Sequence, residues 1–171
     1  MQLEEKYGLT RKCLSILNDL KINTMITTKS DNELIFKDID ILKNFQAEIT
    51  VLMGITNINQ IGKGKDNKNI QTANKLFNEG IRVWAFITPI LPYIMNVDEI
   101  ISVINPDIPI YLDKLRLEDT IQIKNIMKFI EQSYPKYTEK YNELIYENNE
   151  EYFDEIKRKY SNNKRINILF L

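Results

Sequence analysis

At 171 residues, 43% hydrophobic and 27% charged, the chain is long enough for one domain with a real core and has an ordinary globular composition. Lys and Arg number 23 and Asp and Glu 24, so the net charge of −1 gives no global sign of nucleic-acid or membrane-surface binding. The chain has no histidine and a single cysteine, Cys13, which excludes histidine-based zinc sites, Ser-His-Asp triads, Cys-His dyads and an internal disulfide. No apolar run spans a bilayer and no signal-peptide pattern is read, so a reducing cytoplasm is the expected compartment.

Taken in chain order, "EEKYGLTRKCLSILNDLKI" predicts an amphipathic helix. Leu9, Cys13, Ile16, Leu17 and Leu20 recur on it at helical spacing. On that face Cys13 reads as a small buried hydrophobe. "NTMITTK" is the first strand. Ser30 or Asp31 then caps a turn, and Asp38 caps a helix through Ile39, Leu42 and Phe45. "AEITVLMGIT" is the second strand, a continuous apolar run of the kind buried on both faces.

"NINQIGKGKDNKN" reads as a loop, and "IQTANKLFNEGI" as a helix closed by Gly80. "GKGKDNK" lacks the Gly-x4-Gly-Lys-Ser/Thr frame of a phosphate loop and is read as a flexible basic loop. "RVWAFITPI" is the third strand, "VDEIISVI" a short helix, and "IPIYLDKL" the fourth strand, with Asp113 and Lys114 as a strand-end ion pair. A helix with Ile123, Ile126, Met127 and Ile130 on one face follows. Then comes a charged, Tyr-rich helical stretch broken near Asn148 and Asn149, and "INILF" as a fifth strand. In that stretch the charges read as i,i+4 pairs, and Tyr141, Tyr146, Tyr152 and Tyr160 as packing residues.

Apolar strands alternating with helices predict an α/β fold with a parallel sheet of about five strands in a single domain, residues 1–171. Residues 119–171 form a helical carboxyl-terminal extension ending in a short strand. Ligands of such sheets bind at the carboxyl ends of the strands. Those ends here carry Thr28-Lys29-Ser30, Gly54-Ile55-Thr56-Asn57, Thr88-Pro89 and Asp113-Lys114. A helix cap beside a solvated lysine is the competing reading of the first group.

The ordered set "EEKYGLTRKCLSIL", "TTKSD", "MGITN", "ANKLFNEGIRVWAFITPILP" and "YLDKLRL" resembles radical S-adenosylmethionine (SAM) enzymes of the spore photoproduct lyase and DNA repair photolyase type. The resemblance implies the carboxyl-terminal half of a partial TIM-type (βα)6 barrel. It implies a [4Fe–4S] cluster and SAM in the intact family, with radical chemistry on damaged nucleic acid. Carried onto this chain, it makes Thr28, Lys29, Ser30, Gly54, Thr56, Asn57 and Pro89 a SAM-binding rim. Lys29 would pair with the SAM carboxylate.

The family's Cys-x3-Cys-x2-Cys segment has no counterpart in a chain with one cysteine. The loop after the second strand also departs from the family pattern, with "IGKGKDNKNIQTAN" in place of a Glu-Pro segment and an Arg. The resemblance therefore implies a truncated, fragmentary or split lyase-like protein with no catalytic residue and no cofactor bound by this chain alone. Its implied partner is an upstream polypeptide carrying the cysteines, or a second copy meeting it at the exposed sheet edge. The alternative is a non-catalytic α/β binding module, or a subunit that completes a barrel in trans.

Overall fold

Parallel neighbours cannot be joined by tight hairpins; each pair needs a crossover, and crossovers are almost always right-handed. The computed structural model describes residues 3–29, 33–56, 63–117 and 119–170. Five strands run parallel: β1 (Thr24–Thr28), β2 (Ile49–Gly54), β3 (Val83–Ile90), β4 (Ile110–Lys114) and β5 (Ile166–Ile168). Their order across the sheet is their order in the chain, β1-β2-β3-β4-β5. A sheet that adds each strand on the same side has no reversal of order, so right-handed crossovers all fall on one face. The connecting helices are α3 (Ile39–Lys43), α4 (Lys68–Asn78), α5 (Val97–Val103), and the run α6 (Thr120–Ser133), α7 (Thr138–Tyr146) and α8 (Glu151–Tyr160). Two helices precede β1: α1 (Leu3–Tyr7) and α2 (Leu9–Asp19).

The burial pattern follows from that winding. Val51, Met53, Val83, Ile87, Ile110 and Leu112 are at most 1% exposed, and they pack with Leu42 of α3, Ile70 and Leu76 of α4 and Phe153 of α8. Their alternates, Leu52, Trp84, Phe86 and Tyr111, are only half-buried, and Met25 of β1 is 50% exposed. The second strand is buried on both faces along almost its whole length, as its apolar run predicts: Leu52 alone is half-buried, while Thr50, 6% exposed, and Gly54 are buried on the same side. The half-buried surface is formed mainly by the outward residues of β3 and β4, with Met25 exposed on β1. On that surface the Trp84 and Tyr111 rings lie 5.0 Å apart, and the Arg82 guanidinium sits 5.7 Å from the Trp84 ring centre.

The carboxyl-terminal segment joins the same body. β5 pairs with β4, α8 sends Phe153 and Ile156 into the main core, and Tyr160 donates a 2.5 Å hydrogen bond to Asp98 of α5. Met127 and Ile130 of α6 and Tyr141 of α7 form a second, smaller cluster. The buried Tyr141 hydroxyl donates to the Pro92 carbonyl at 3.1 Å, which fastens α7 to the chain just past β3. Tyr141 and Tyr160 are buried and Tyr152 half-buried, as packing residues, whereas Tyr146 is 64% exposed. Two charge pairs within that stretch, Lys140–Glu143 and Lys157–Asp154, sit three residues apart rather than four.

The amino-terminal helix differs from expectation in two ways. Gly8 adopts a left-handed conformation (φ 56°), which divides it into α1 and α2. Its buried side is also not the predicted one. Leu14 is 3% exposed, while Leu9, Ile16 and Leu20 are 56%, 58% and 63% exposed and Cys13 lies in the open. Polar contacts explain the choice. The Arg11 guanidinium bonds Asp38 at 3.1 Å and Asp40 at 2.6 Å, and the Asn18 side-chain oxygen Oδ1 accepts from the Gln46 main-chain N–H at 2.6 Å. These turn the Arg11–Leu14–Asn18 side inward. Asp38 precedes α3 but makes no side-chain cap there; its carboxylate serves Arg11.

Hydrogen bonding to Arg11, reinforced by its charge, holds the Asp40 carboxyl at about 2, below its ordinary value of 3.8. A depressed folded-state pKa contributes stability that is complete above the unfolded value and is lost as pH falls through the folded one. Denaturation midpoints followed from pH 5 to pH 1.5 should therefore fall less steeply between pH 4 and pH 2 in Asp40→Asn than in the parent protein. Identical slopes in that window would mean that the pair does not anchor α2.

Candidate functional site

The uncovered sheet face meets the carboxyl ends of the strands at Lys29. β1 ends at Thr28, and β2 ends at Gly54, which pairs with Phe86 of β3. The Lys29 side chain runs across Gly54 to β3, where its ammonium donates to the Thr88 carbonyl at 3.3 Å. A Cβ on Gly54 would lie 2.6 Å from the Lys29 Cγ and 3.1 Å from its Cε. The missing side chain of Gly54 is thus the channel through which Lys29 crosses the middle strand.

Thr88 joins Pro89 through a cis peptide bond, and the β3–β4 register shifts between Ile87 and Ile90. The Thr88 carbonyl that Lys29 reaches therefore lies within an irregular stretch of β3.

Beneath Lys29 lies the start of α4. Asn67 is its N-cap, accepting from the N–H groups of Asn69 at 3.0 Å and Ile70 at 3.2 Å. Asn69, completely buried, donates from its side-chain amide to the Lys29 main-chain carbonyl at 3.0 Å. So α4 holds the residue after β1 by its backbone, while Gly54 leaves a path for its side chain. Among the described residues, two buried side-chain polar atoms have no hydrogen-bond partner, the Thr56 hydroxyl and the Asn69 amide oxygen. Both belong to this end of β2 and its crossover. A buried polar atom without a partner loses about 1–3 kcal/mol, so a group that pairs with either gains free energy by entering.

The predicted rim residues divide as follows. Lys29 and Gly54 touch, Lys29 reaches the residue before Pro89, and Thr56 is buried with its hydroxyl unpartnered. Thr28 lines a separate cavity of about 230 Å³ between β1, α2 and α3, with Leu14, Ile26, Asp38 and Leu42. Ser30 and Asn57 lie outside the described residues. Asn67 and Asn69 were missed because the segment reads as a polar loop up to Ile70. The available signal was an Asn three residues ahead of the first apolar helical position, a capping pattern. The predicted Asp113–Lys114 pair does not form. Lys114 pairs with Glu150 at 2.6 Å and Arg116 with Asp113 at 2.9 Å, because the segment before α8 brings a carboxylate within reach of β4.

Among the described residues no three of Cys, Asp and Glu gather as metal ligands. None of the described helices is long and apolar enough to cross a membrane.

No family model matches the chain, and no solved structure matches it. A protein of Methanocaldococcus jannaschii, named Uncharacterized protein MJ0683, is 31% identical over 144 residues. The match covers 78% of this chain and 52% of the relative, so the chain spans about half the length of the curated relative it matches.

If Gly54 serves as the channel, Gly54→Ala should displace only a flexible lysine. Its denaturation free energy should change by less than about 1 kcal/mol, and the Lys29 ammonium resonance should lose its contact with Thr88 by NMR. A larger loss of stability would show a rigid close approach instead of a path for one side chain.

Proposed function

We propose that this chain is the carboxyl-terminal part of a radical SAM protein similar to spore photoproduct lyase, folded as a partial barrel, and that its rim binds the SAM molecule. The observation that carries the reading is Lys29, an ammonium laid over Gly54 at the carboxyl ends of three parallel strands. Unpartnered buried acceptor and hydroxyl groups lie at the same end of the fold. An ammonium suits the carboxylate of an amino-acid ligand, and the Asn69 and Thr56 oxygens suit hydroxyl or amino groups. The running strand order supports a barrel-type winding, because a doubly wound sheet needs a reversal that is absent here.

A [4Fe–4S] cluster does not fit the residues of this chain. Its ligands are thiolates, and the one cysteine projects from the exposed face of α2. That observation favours a binding role over an autonomous enzyme. The chain orients a ligand through Lys29 and supplies no reductive chemistry itself. An upstream polypeptide carrying the cysteines would be the partner that completes an active protein, with damaged nucleic acid as the substrate class of the intact protein.

Calorimetry with SAM, S-adenosylhomocysteine and methylthioadenosine tests the rim. SAM and S-adenosylhomocysteine should bind, and Lys29→Met should weaken both about tenfold, the scale of one charge-assisted hydrogen bond. Methylthioadenosine, which has no carboxylate, should be indifferent to the substitution. Absence of heat with all three ligands, or equal weakening of all three, would refute the assignment.

A further inference from the structure

A second surface stands apart from the rim and does not depend on the SAM reading. The inward side of α2 is committed: Leu14 is in the core, Arg11 is held by Asp38 and Asp40, and Asn18 accepts from Gln46. The helix cannot roll to bury its other side without breaking these contacts. That other side carries Leu9, Cys13, Ile16 and Leu20, all exposed. Their combined apolar area is on the order of 400 Å², at the scale of the largest patches monomers carry.

The spacing of the four residues is 4-3-4, which reads the same in both directions. It is also the alternation of a coiled-coil seam. Two such helices packed antiparallel about a two-fold axis would set Leu9 against the partner's Leu20, and Cys13 against the partner's Ile16. Lys12 and Asp19, both exposed, each lie one residue before a seam position, on the same flank. In the antiparallel arrangement that flank meets its own copy, and Lys12 faces the partner's Asp19. The surface is therefore self-complementary in shape and in charge, as a two-fold contact requires. With Lys12, Asp19 and the exposed Tyr7 and Ile22 included, its area approaches the roughly 600–800 Å² per partner of a small specific interface.

We propose that the outer face of α2 is the contact between two copies of this chain, packed antiparallel through Leu9, Cys13, Ile16 and Leu20.

The test uses the full chain. Light scattering across a concentration series should show the mass rising to twice that of one chain. Leu20→Glu should hold it at the monomer, with circular dichroism unchanged and a melting temperature equal to the parent's at dilutions where the parent is itself monomeric, because the side chain is exposed in the single chain. Ile16→Cys should place a thiol opposite the partner's Cys13. On addition of oxidised glutathione it should give a covalent dimer on a non-reducing gel, with the thiol electrons passing to the glutathione disulfide. Leu20→Glu added to Ile16→Cys should abolish that product. A monomer at every concentration, or a dimer indifferent to Leu20→Glu, would overturn the proposal.

Discussion

The constraint on which the rest of this structure depends is the single running order of its parallel strands. Each strand needs a crossover, such crossovers are almost always right-handed, and the order never reverses, so the winding gathers the helices on one face. That face becomes a continuous core from Val51 and Met53 through Ile87 to Leu112. The other face keeps Leu52, Trp84, Phe86 and Tyr111 as a half-buried apolar surface. Parallel sheets are ordinarily covered on both sides.

The same winding collects the carboxyl ends of the strands on one rim, and local chemistry then makes that rim specific. Gly54 lacks the atom that would block Lys29. Asn69 is buried and holds the Lys29 backbone, and the Asn67 cap fixes where α4 starts and so where Asn69 sits. Three residues, from the end of β2 and the start of α4, thus set the position of one lysine. The unpartnered oxygens of Thr56 and Asn69 give the same end of the fold unused hydrogen-bonding capacity.

The α2 face shows how a helix can have two apolar stripes with only one in the core. Periodicity marks Leu9, Cys13, Ile16 and Leu20 as the strong stripe, and Leu14 is a weaker candidate by count. The core took the weaker one because Arg11 and Asn18, beside Leu14, find Asp38, Asp40 and Gln46 across the interface. Hydrophobic pattern is blind to such pairs, since their members lie 27 to 29 residues apart in the chain.

What the sequence by itself determined was the local layer. It showed the five strands from their apolar runs, the helices between them from their spacing, the helix stop at Gly80, and the polar residues at the strand ends. It also determined, through its single cysteine, that thiolate ligands for a cluster are not within this chain. Only the tertiary structure decided which face of β3 is covered, which side of α2 turns inward, and that Lys114 pairs with Glu150 rather than Asp113. It alone revealed the passage of Lys29 over Gly54 and the burial of Asn69. The physical reason is range. Propensity, capping and periodicity act within a few residues. Burial, close approach and ion pairing depend on segments tens of residues apart that meet only when the sheet is wound.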